Sequence, residues 1–271
     1  MRLATFEYQG TTFLGNLHDD VAQPLDGSFE DIAGAICAGR APRAAGDALP
    51  RSEIQLLAPV PRPGKFLCIG LNYRDHAEES GMAVPEVPVV FNKFASSVVA
   101  HEDAVVIPPG CRELDYEAEF AFVVGRQARH VPVRQARGYV LGYTCVNDVS
   151  ARDFQFGDGQ WTRGKACDTF GPMGPAIVTR DEIEDPHRLG IRLRLNGETM
   201  QDSNTDQLVF GVDVLLSFLS AHFTLEPGDV IATGTPPGVG FARKPPVYLK
   251  DGDVMEVEID GVGTLRNPVA G

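Results

Sequence analysis

Residues 114–125 read LDYEAEFAFVVG, and the fold class turns on how that stretch is taken. Its centre, YEAEFAFVV, is dense in aromatic and β-branched residues and has the length of a strand. Side chains two apart on a strand leave the same face. Glu117 and Glu119 are therefore expected to point together, with Ala118 facing the other way. Phe120, Phe122, Val123 and Val124 make the segment apolar enough to be buried, and a buried carboxylate needs a partner or a cation. A third carboxylate, Asp148, follows in GYTCVNDVSARDFQ (142–155). Three carboxylates with no nearby His or Cys suit a hard divalent cation, Mg²⁺, Mn²⁺ or Ca²⁺, over zinc or copper. Glu-x-Glu alone is equally the polar face of an edge strand; the apolar neighbours are what favour the metal.

Outward from this strand the texture repeats. From Lys65 onward, short β-like runs recur (KFLCIGL, PVVFNKF, GYVLGYTCVND, IRLRLNG, VMEVEIDG), punctuated by Gly and Pro. Only two helices are expected among them, one through YRDHAEESG and one through VFGVDVLLSFLSAHFTL. Many strands and few helices predict an α+β, β-rich architecture, a mixed β-roll or sandwich. Strand and helix do not alternate as in doubly wound folds. No G-x-G-x-x-G or P-loop run is present, so nucleotide cofactors find no support. Residues 1–60 are expected to form a small N-terminal α/β subdomain, with strand patterns and a helix capped by Ser28. The Ala-, Pro- and Arg-rich stretch from Arg40 to Pro63 reads as an extended connector. Residues 65–271 then form the larger domain.

Composition narrows the function. A chain of 271 residues with 43% hydrophobic and 23% charged residues is an ordinary globular protein. The formal net charge of −13 argues against nucleic acid or an anionic membrane as partner. A small anionic substrate remains open, held by local cations and a metal. No apolar run approaches the roughly 18 residues that span a bilayer. The N-terminus lacks a signal-peptide pattern, so a cytoplasmic location is expected. Five scattered cysteines without C-x-x-C spacing predict neither disulfides nor structural zinc.

Other residues invite chemistry. In GLNYRDHAEESG, His76 stands three residues before Glu79; on a helix the two share a face, and the carboxylate can orient the imidazole as a general base. A solvated charged turn is the plain alternative. Lys165 sits among Gly, Ala and Cys in TRGKACDTFGPMGP, which suits either a partly buried ammonium or a snorkelling surface lysine. Lys93 follows a strongly apolar run, which favours an inward charge. Arg152 and Gln155 follow Asp148 closely. Thr233, Thr235 and the backbone N–H groups of ATGTPPGVG offer a clamp for an anionic oxygen, or simply a tight turn.

Taken in order, NYRDHAEE, FNKF, LDYEAEFAFVVG, NDVSARDFQ, QWTRGKACDTFGPMGP, LNGETMQDSNT, LEPGDVIATGTPPGVG and LKDGDVMEVEIDGVG resemble the fumarylacetoacetate hydrolase family across residues 65–271. The first 60 residues resemble the short extension of its bacterial-type members. The resemblance implies a homodimeric β-roll in which Glu117, Glu119 and Asp148 hold Mg²⁺ or Mn²⁺. It implies that His76 and Glu79 form a water-activating dyad on a mobile lid, and that Lys165 is the active-site lysine. Lys93, Arg152, Gln155 and Thr235 match groups around the substrate.

The resemblance also implies a 2-oxo-acid substrate. The first expectation is a metal-dependent hydrolase that cleaves a C–C bond in a 2,4-dioxo acid, an acylpyruvate or a diketo sugar acid, through a metal-stabilised enolate. The same enolate serves two alternatives: decarboxylation of an oxaloacetate-type acid, and isomerisation of a 2-hydroxy-diene-dioate. A non-catalytic metal-binding scaffold is the remaining possibility.

Overall fold

The strand expected around Glu119 runs Ala118–Val124, with Glu117 immediately before it. It belongs to a computed structural model that describes residues 1–18 and 20–271. Alternation along this strand sorts its side chains between two cores. Ala118, Phe120, Phe122 and Val124 enter one hydrophobic cluster, whereas Ala121 and Val123 enter another on the opposite face. Both faces are covered, which is why the run is apolar almost throughout rather than alternating with polar residues. Burying each of the two phenylalanines contributes about 1.5–3 kcal/mol.

The principal sheet runs edge to edge through Leu49–Pro50, Val21–Pro24, Thr11–His18, Arg2–Tyr8, Gly171–Thr179, Val140–Asn147, Ala118–Val124, Val230–Ala232, Phe66–Gly70 and Val89–Lys93. It is mostly antiparallel; Val230–Ala232 and Phe66–Gly70 pair in parallel. A five-stranded sheet, Glu198–Asn204, Gly190–Leu195, Val254–Ile259, Gly263–Ala270 and Val105–Val106, packs on one face. Ile191, Leu193, Val257 and Leu265 from this second sheet share a core with Phe120, Phe122 and Tyr143 from the first. The result is the strand-rich α+β sandwich expected of the sequence.

Two helices complete the cores. Val212–His222 buries Val212, Leu215, Leu216 and Leu219, one stripe at helical spacing. Phe29–Cys37 is capped by Ser28, which accepts from Asp31 N–H while the Asp31 carboxylate accepts from Ser28 N–H. Its buried residues Ile32 and Ala33 cover the other face of the principal sheet. No helix among the described residues is long and apolar enough to cross a membrane.

Three features were not foreseen. The N-terminal strand Arg2–Tyr8 pairs directly with Gly171–Thr179, so the first residues extend the principal sheet. The expected connector is extended, but it also pairs: Leu49–Pro50 and Gln55–Leu56 add to that same sheet. Short helices at Arg152–Gly157 and Thr162–Lys165 were also missed. Helices of so few residues carry too little periodicity to be read.

Gly142 marks a close approach in this sheet. A β-carbon there would lie 2.2 Å from the Val178 carbonyl oxygen and 2.7 Å from Ile177 Cγ2. Gly142→Ala is therefore expected to destabilise the protein by about 2–3 kcal/mol, measured as a lower urea midpoint; an unchanged midpoint would refute this close packing.

Candidate active site

Strand register assembles the carboxylates. Ala118 pairs with Asn147 across the antiparallel strands Ala118–Val124 and Val140–Asn147. One residue beyond that pair, Asp148 N–H donates to the Glu117 carbonyl at 2.9 Å. Glu119 lies two residues along the strand from Glu117, as the period of two requires. Carboxylate oxygens of Glu117, Glu119 and Asp148 all lie within 4.8 Å of one another, and all three residues are buried. Asn147 steadies the junction, its Oδ1 accepting from Glu117 N–H at 3.0 Å.

Three cations answer these carboxylates unequally. Lys165 Nζ lies 2.9 Å from Glu117 and 2.7 Å from Asp148. Arg152 spans Glu117 at 2.6 Å and Asp115 at 2.8 Å. Burial alone would raise the Glu117 carboxyl, but the Lys165 ammonium and the Arg152 guanidinium outweigh it and hold the group at about 2. Among the described residues Glu119 has no such partner; it accepts from Gly234 N–H, at 2.8 Å. Burial, then repulsion from Asp148 and Glu117, push its carboxyl well above the ordinary range. Only glycine fits at the donor position. Gly234 has φ +99°, and a β-carbon would lie 2.9 Å from both Asn72 Cβ and the Ile69 carbonyl oxygen.

Asp148 also keeps a free lone pair. Lys93 Nζ lies 2.6 Å from Asp148 Oδ1, yet it donates to the carbonyls of Val149, Lys165 and Phe170. An ammonium has three protons, and these three acceptors use them. Oδ1 therefore shares that ammonium with three carbonyls and keeps lone-pair capacity as a buried acceptor. A buried acceptor of this kind, an unpaired glutamate and an all-oxygen donor set fit a hard divalent cation.

A cavity of about 400 Å³ opens beside the cluster. Eight of the eleven residues singled out in the sequence line it or stand at its floor: His76, Glu79, Glu117, Glu119, Arg152, Gln155, Lys165 and Thr235. Asp148 completes the carboxylate cluster. Lys93 is a correction. Its side chain is wholly buried among backbone carbonyls and does not line the cavity, so it braces Asp148 and the Lys165 backbone instead of touching substrate. Thr233 likewise turns away, donating to the Phe120 carbonyl at 2.7 Å.

His76 and Glu79 lie on the helix Arg74–Ser80, which ends at Gly81 in the left-handed conformation, φ +63°. His76 Nδ1 is 3.1 Å from Glu79 Oε2. A carboxylate can only accept, so Nδ1 carries the proton and Nε2 holds a lone pair. Gly238 N–H donates to both Glu79 oxygens, at 3.0 and 3.2 Å, fixing the carboxylate from the far side. Asn72 anchors the approach to this helix by donating to the carbonyls of Phe210 and Thr233.

Several supporting residues escaped the sequence reading. Asp115 accepts from Arg152 Nε and from the N–H groups of Gly240 and Phe241, tying the guanidinium to the loop at the cavity rim. It stands two residues before Glu117, so the same period of two could have found it. Gln201 accepts from Ala118 N–H and donates to Thr235 Oγ1, both at 2.8 Å. That leaves the Thr235 hydroxyl proton to donate elsewhere. No local pattern points from Gln201 to a strand some eighty residues earlier. The aromatic lining, Phe91, Phe156, Trp161 and Phe241, was not singled out either.

Comparison with known proteins places this geometry. A family model described as fumarylacetoacetate (FAA) hydrolase C-terminal matches residues 65–270, and one described as Rv2993c-like, N-terminal matches residues 1–59. A mitochondrial oxaloacetate tautomerase of Xenopus laevis is 53% identical over 223 residues, which cover 82% of this chain and 70% of that protein. Among solved structures, a fumarylacetoacetate hydrolase from Exiguobacterium antarcticum superposes with a TM-score of 0.89 at 37% identity, covering 100% of this chain and 99% of its own. A 5-carboxymethyl-2-hydroxymuconate delta-isomerase from Mycobacterium smegmatis superposes with a TM-score of 0.87 at 35% identity and the same coverage.

The unpaired Glu119 yields a test. Mg²⁺ or Mn²⁺ at a hundredfold excess over its dissociation constant should stabilise the protein by about 2.7 kcal/mol. Without metal, Glu119→Gln should melt no lower than the parent, because the amide replaces a carboxyl whose charged form burial and its neighbours disfavour. With metal it should lose the stabilisation. Thermal denaturation with and without chelator reads both, and a metal response that survives in Glu119→Gln would exclude Glu119 as a ligand.

Proposed function

The chain belongs to the fumarylacetoacetate hydrolase family, and from that premise we propose that it moves a proton between carbon and oxygen in a 2-oxo acid, interconverting its keto and enol forms. The observation that carries this is the His76–Glu79 pair: an imidazole held by a carboxylate through Nδ1, with its Nε2 lone pair left for the cavity. The relatives' names support the same chemistry, since tautomerase and delta-isomerase describe rearrangement without cleavage.

The residues divide the work. Arg152, Gln155 and the Thr235 hydroxyl offer hydrogen-bond donors for the substrate carboxylate and keto oxygen. A divalent cation held by Glu117, Glu119 and Asp148 would supply Lewis acidity toward negative charge developing on the substrate. His76 Nε2 takes the proton from the carbon beside the keto group. Glu79 stabilises the imidazolium and keeps the ring aimed. The same imidazolium then delivers that proton to the oxygen, which completes the enol and restores the neutral base. Lys165, with two of its three protons directed to Glu117 and Asp148, retains a third for the developing oxyanion.

Hydrolysis of a 2,4-dioxo acid is the second reading, and one observation favours it: a cavity of about 400 Å³ has room for a distal acyl group and an attacking water. His76 would then deprotonate that water. Decarboxylation differs from both in needing no base.

One comparison separates the three. Loss of enol absorbance and pyruvate release would be followed for oxaloacetate, and pyruvate release for an acylpyruvate, with chelator-stripped and Mg²⁺- or Mn²⁺-loaded protein. Metal-dependent enol–keto conversion that exceeds both cleavage rates is expected. His76→Ala should lower it by about 10²–10⁴-fold with metal affinity unchanged. Full conversion by His76→Ala would refute the assigned base, and faster acylpyruvate cleavage would move the chain to the hydrolytic reading.

A further inference from the structure

Resting on the proton-transfer reading, we propose that the preferred substrate is a 2-oxo acid with a single carboxylate and an aromatic group beyond the reacting carbon, an arylpyruvate, in place of a dicarboxylate. Arg152 and Lys165 are the cavity's only Lys or Arg linings among the described residues, and both are ion-paired to Glu117. The apolar part of the lining is Ile69, Leu71, Met82 and four aromatic rings.

Those rings form two edge-to-face pairs. Phe91 and Trp161 have centroids 5.4 Å apart at 72°, and Phe156 and Phe241 have centroids 5.8 Å apart at 64°. Each pair begins at a floor cation: Lys165 Nζ lies 5.2 Å from the Phe91 centroid, and Arg152 Cζ 4.5 Å from that of Phe241. Trp161 lies against the bare backbone of Gly70, where a β-carbon would come within 2.8 Å of the indole. Phe156, the outer ring of the second pair, is 56% exposed. Aromatic faces and edges arranged in this way receive another ring by offset or edge-on stacking.

Charge leads to the same class. Four buried carboxylates, Asp115, Glu117, Glu119 and Asp148, face three buried cations, Lys93, Arg152 and Lys165. With Glu79, which also lines the cavity, the carboxylates exceed the cations by two, an excess that a divalent cation just balances, so each substrate carboxylate beyond the first adds charge with no counterpart. A second carboxylate would lie against aromatic rings with no cation to meet it and would lose its hydration without replacement.

Trp161 is the only tryptophan in the chain, so its emission reports directly on this wall. Two probes share the 2-oxo-carboxylate head and lack a hydrogen on the neighbouring carbon, so neither can turn over: benzoylformate, with a ring, and ketomalonate, with a second carboxylate. In Mg²⁺-loaded protein, benzoylformate should perturb Trp161 emission and bind about tenfold more tightly than ketomalonate, as expected for stacking on two aromatic pairs. By calorimetry, Trp161→Arg should weaken benzoylformate and strengthen ketomalonate. Phe156→Ala, at an exposed position, should weaken benzoylformate alone and guards against a misfolded Trp161 variant. Equal or tighter ketomalonate binding, or saturation by benzoylformate without any change in emission, overturns the aromatic class. Enol turnover separates this from the underlying chemistry. If the oxaloacetate enol is converted but ketomalonate binds as well as benzoylformate, proton transfer stands and the aromatic preference falls. If benzoylformate binds preferentially but neither oxaloacetate nor phenylpyruvate enol is converted in a metal-dependent way, the preference stands and proton transfer falls.

Discussion

Everything at the active centre follows from burying four carboxylates at the end of one strand and the start of the next turn. Charge in a protein interior must be paired or must coordinate a cation. Here the surrounding chain is arranged around that demand. Lys165 bridges Glu117 and Asp148, Arg152 bridges Glu117 and Asp115, and Lys93 spends its protons on carbonyls while its charge serves Asp148. Each cation arrives from a separate segment. They come from the short helices Arg152–Gly157 and Thr162–Lys165 and from the strand Val89–Lys93. Glu119 is the one member without an ion pair among the described residues, and burial and the other carboxylates outweigh the charge of Lys165 there.

How much of this could be read in advance depended on sequence distance. Glu117 and Glu119 were legible because a strand's period of two is local, and His76 with Glu79 because a helix places residues three apart on one face. Asp148 was legible by proximity in sequence to the same hairpin. Lys93 was misplaced because an apolar run shows that a charge points inward and says nothing of what it meets there. Three backbone carbonyls from residues 149, 165 and 170 decide its role, and main-chain acceptors leave no trace in a list of side chains. Gln201 and the aromatic lining depend on contacts between distant strands and loops, which only the folded chain brings together. The strand-rich architecture was legible from repeated short β runs, whereas the joining of the N-terminal strand to the principal sheet was not.

The relatives' differing names are intelligible in these terms. A base aimed by a carboxylate, an oxygen-lined cation site and a few anion donors define a place where charge can build beside a carboxylate group. Those parts do not specify whether a proton, a water or a carbon fragment leaves. That choice belongs to whatever fills the other side of the cavity, where Phe91, Trp161, Phe156 and Phe241 stand.

The pairing of Arg2–Tyr8 with Gly171–Thr179 carries its own consequence. Without the first strands, the backbone at Ile177 and Val178 would present unmet N–H and C=O groups on an apolar margin, the kind of border through which sheets of separate molecules join end to end. The opening residues therefore act as a selvedge on the sheet. They give it a finished border far from the chemistry, and any shortened or spliced version of this enzyme would have to provide another.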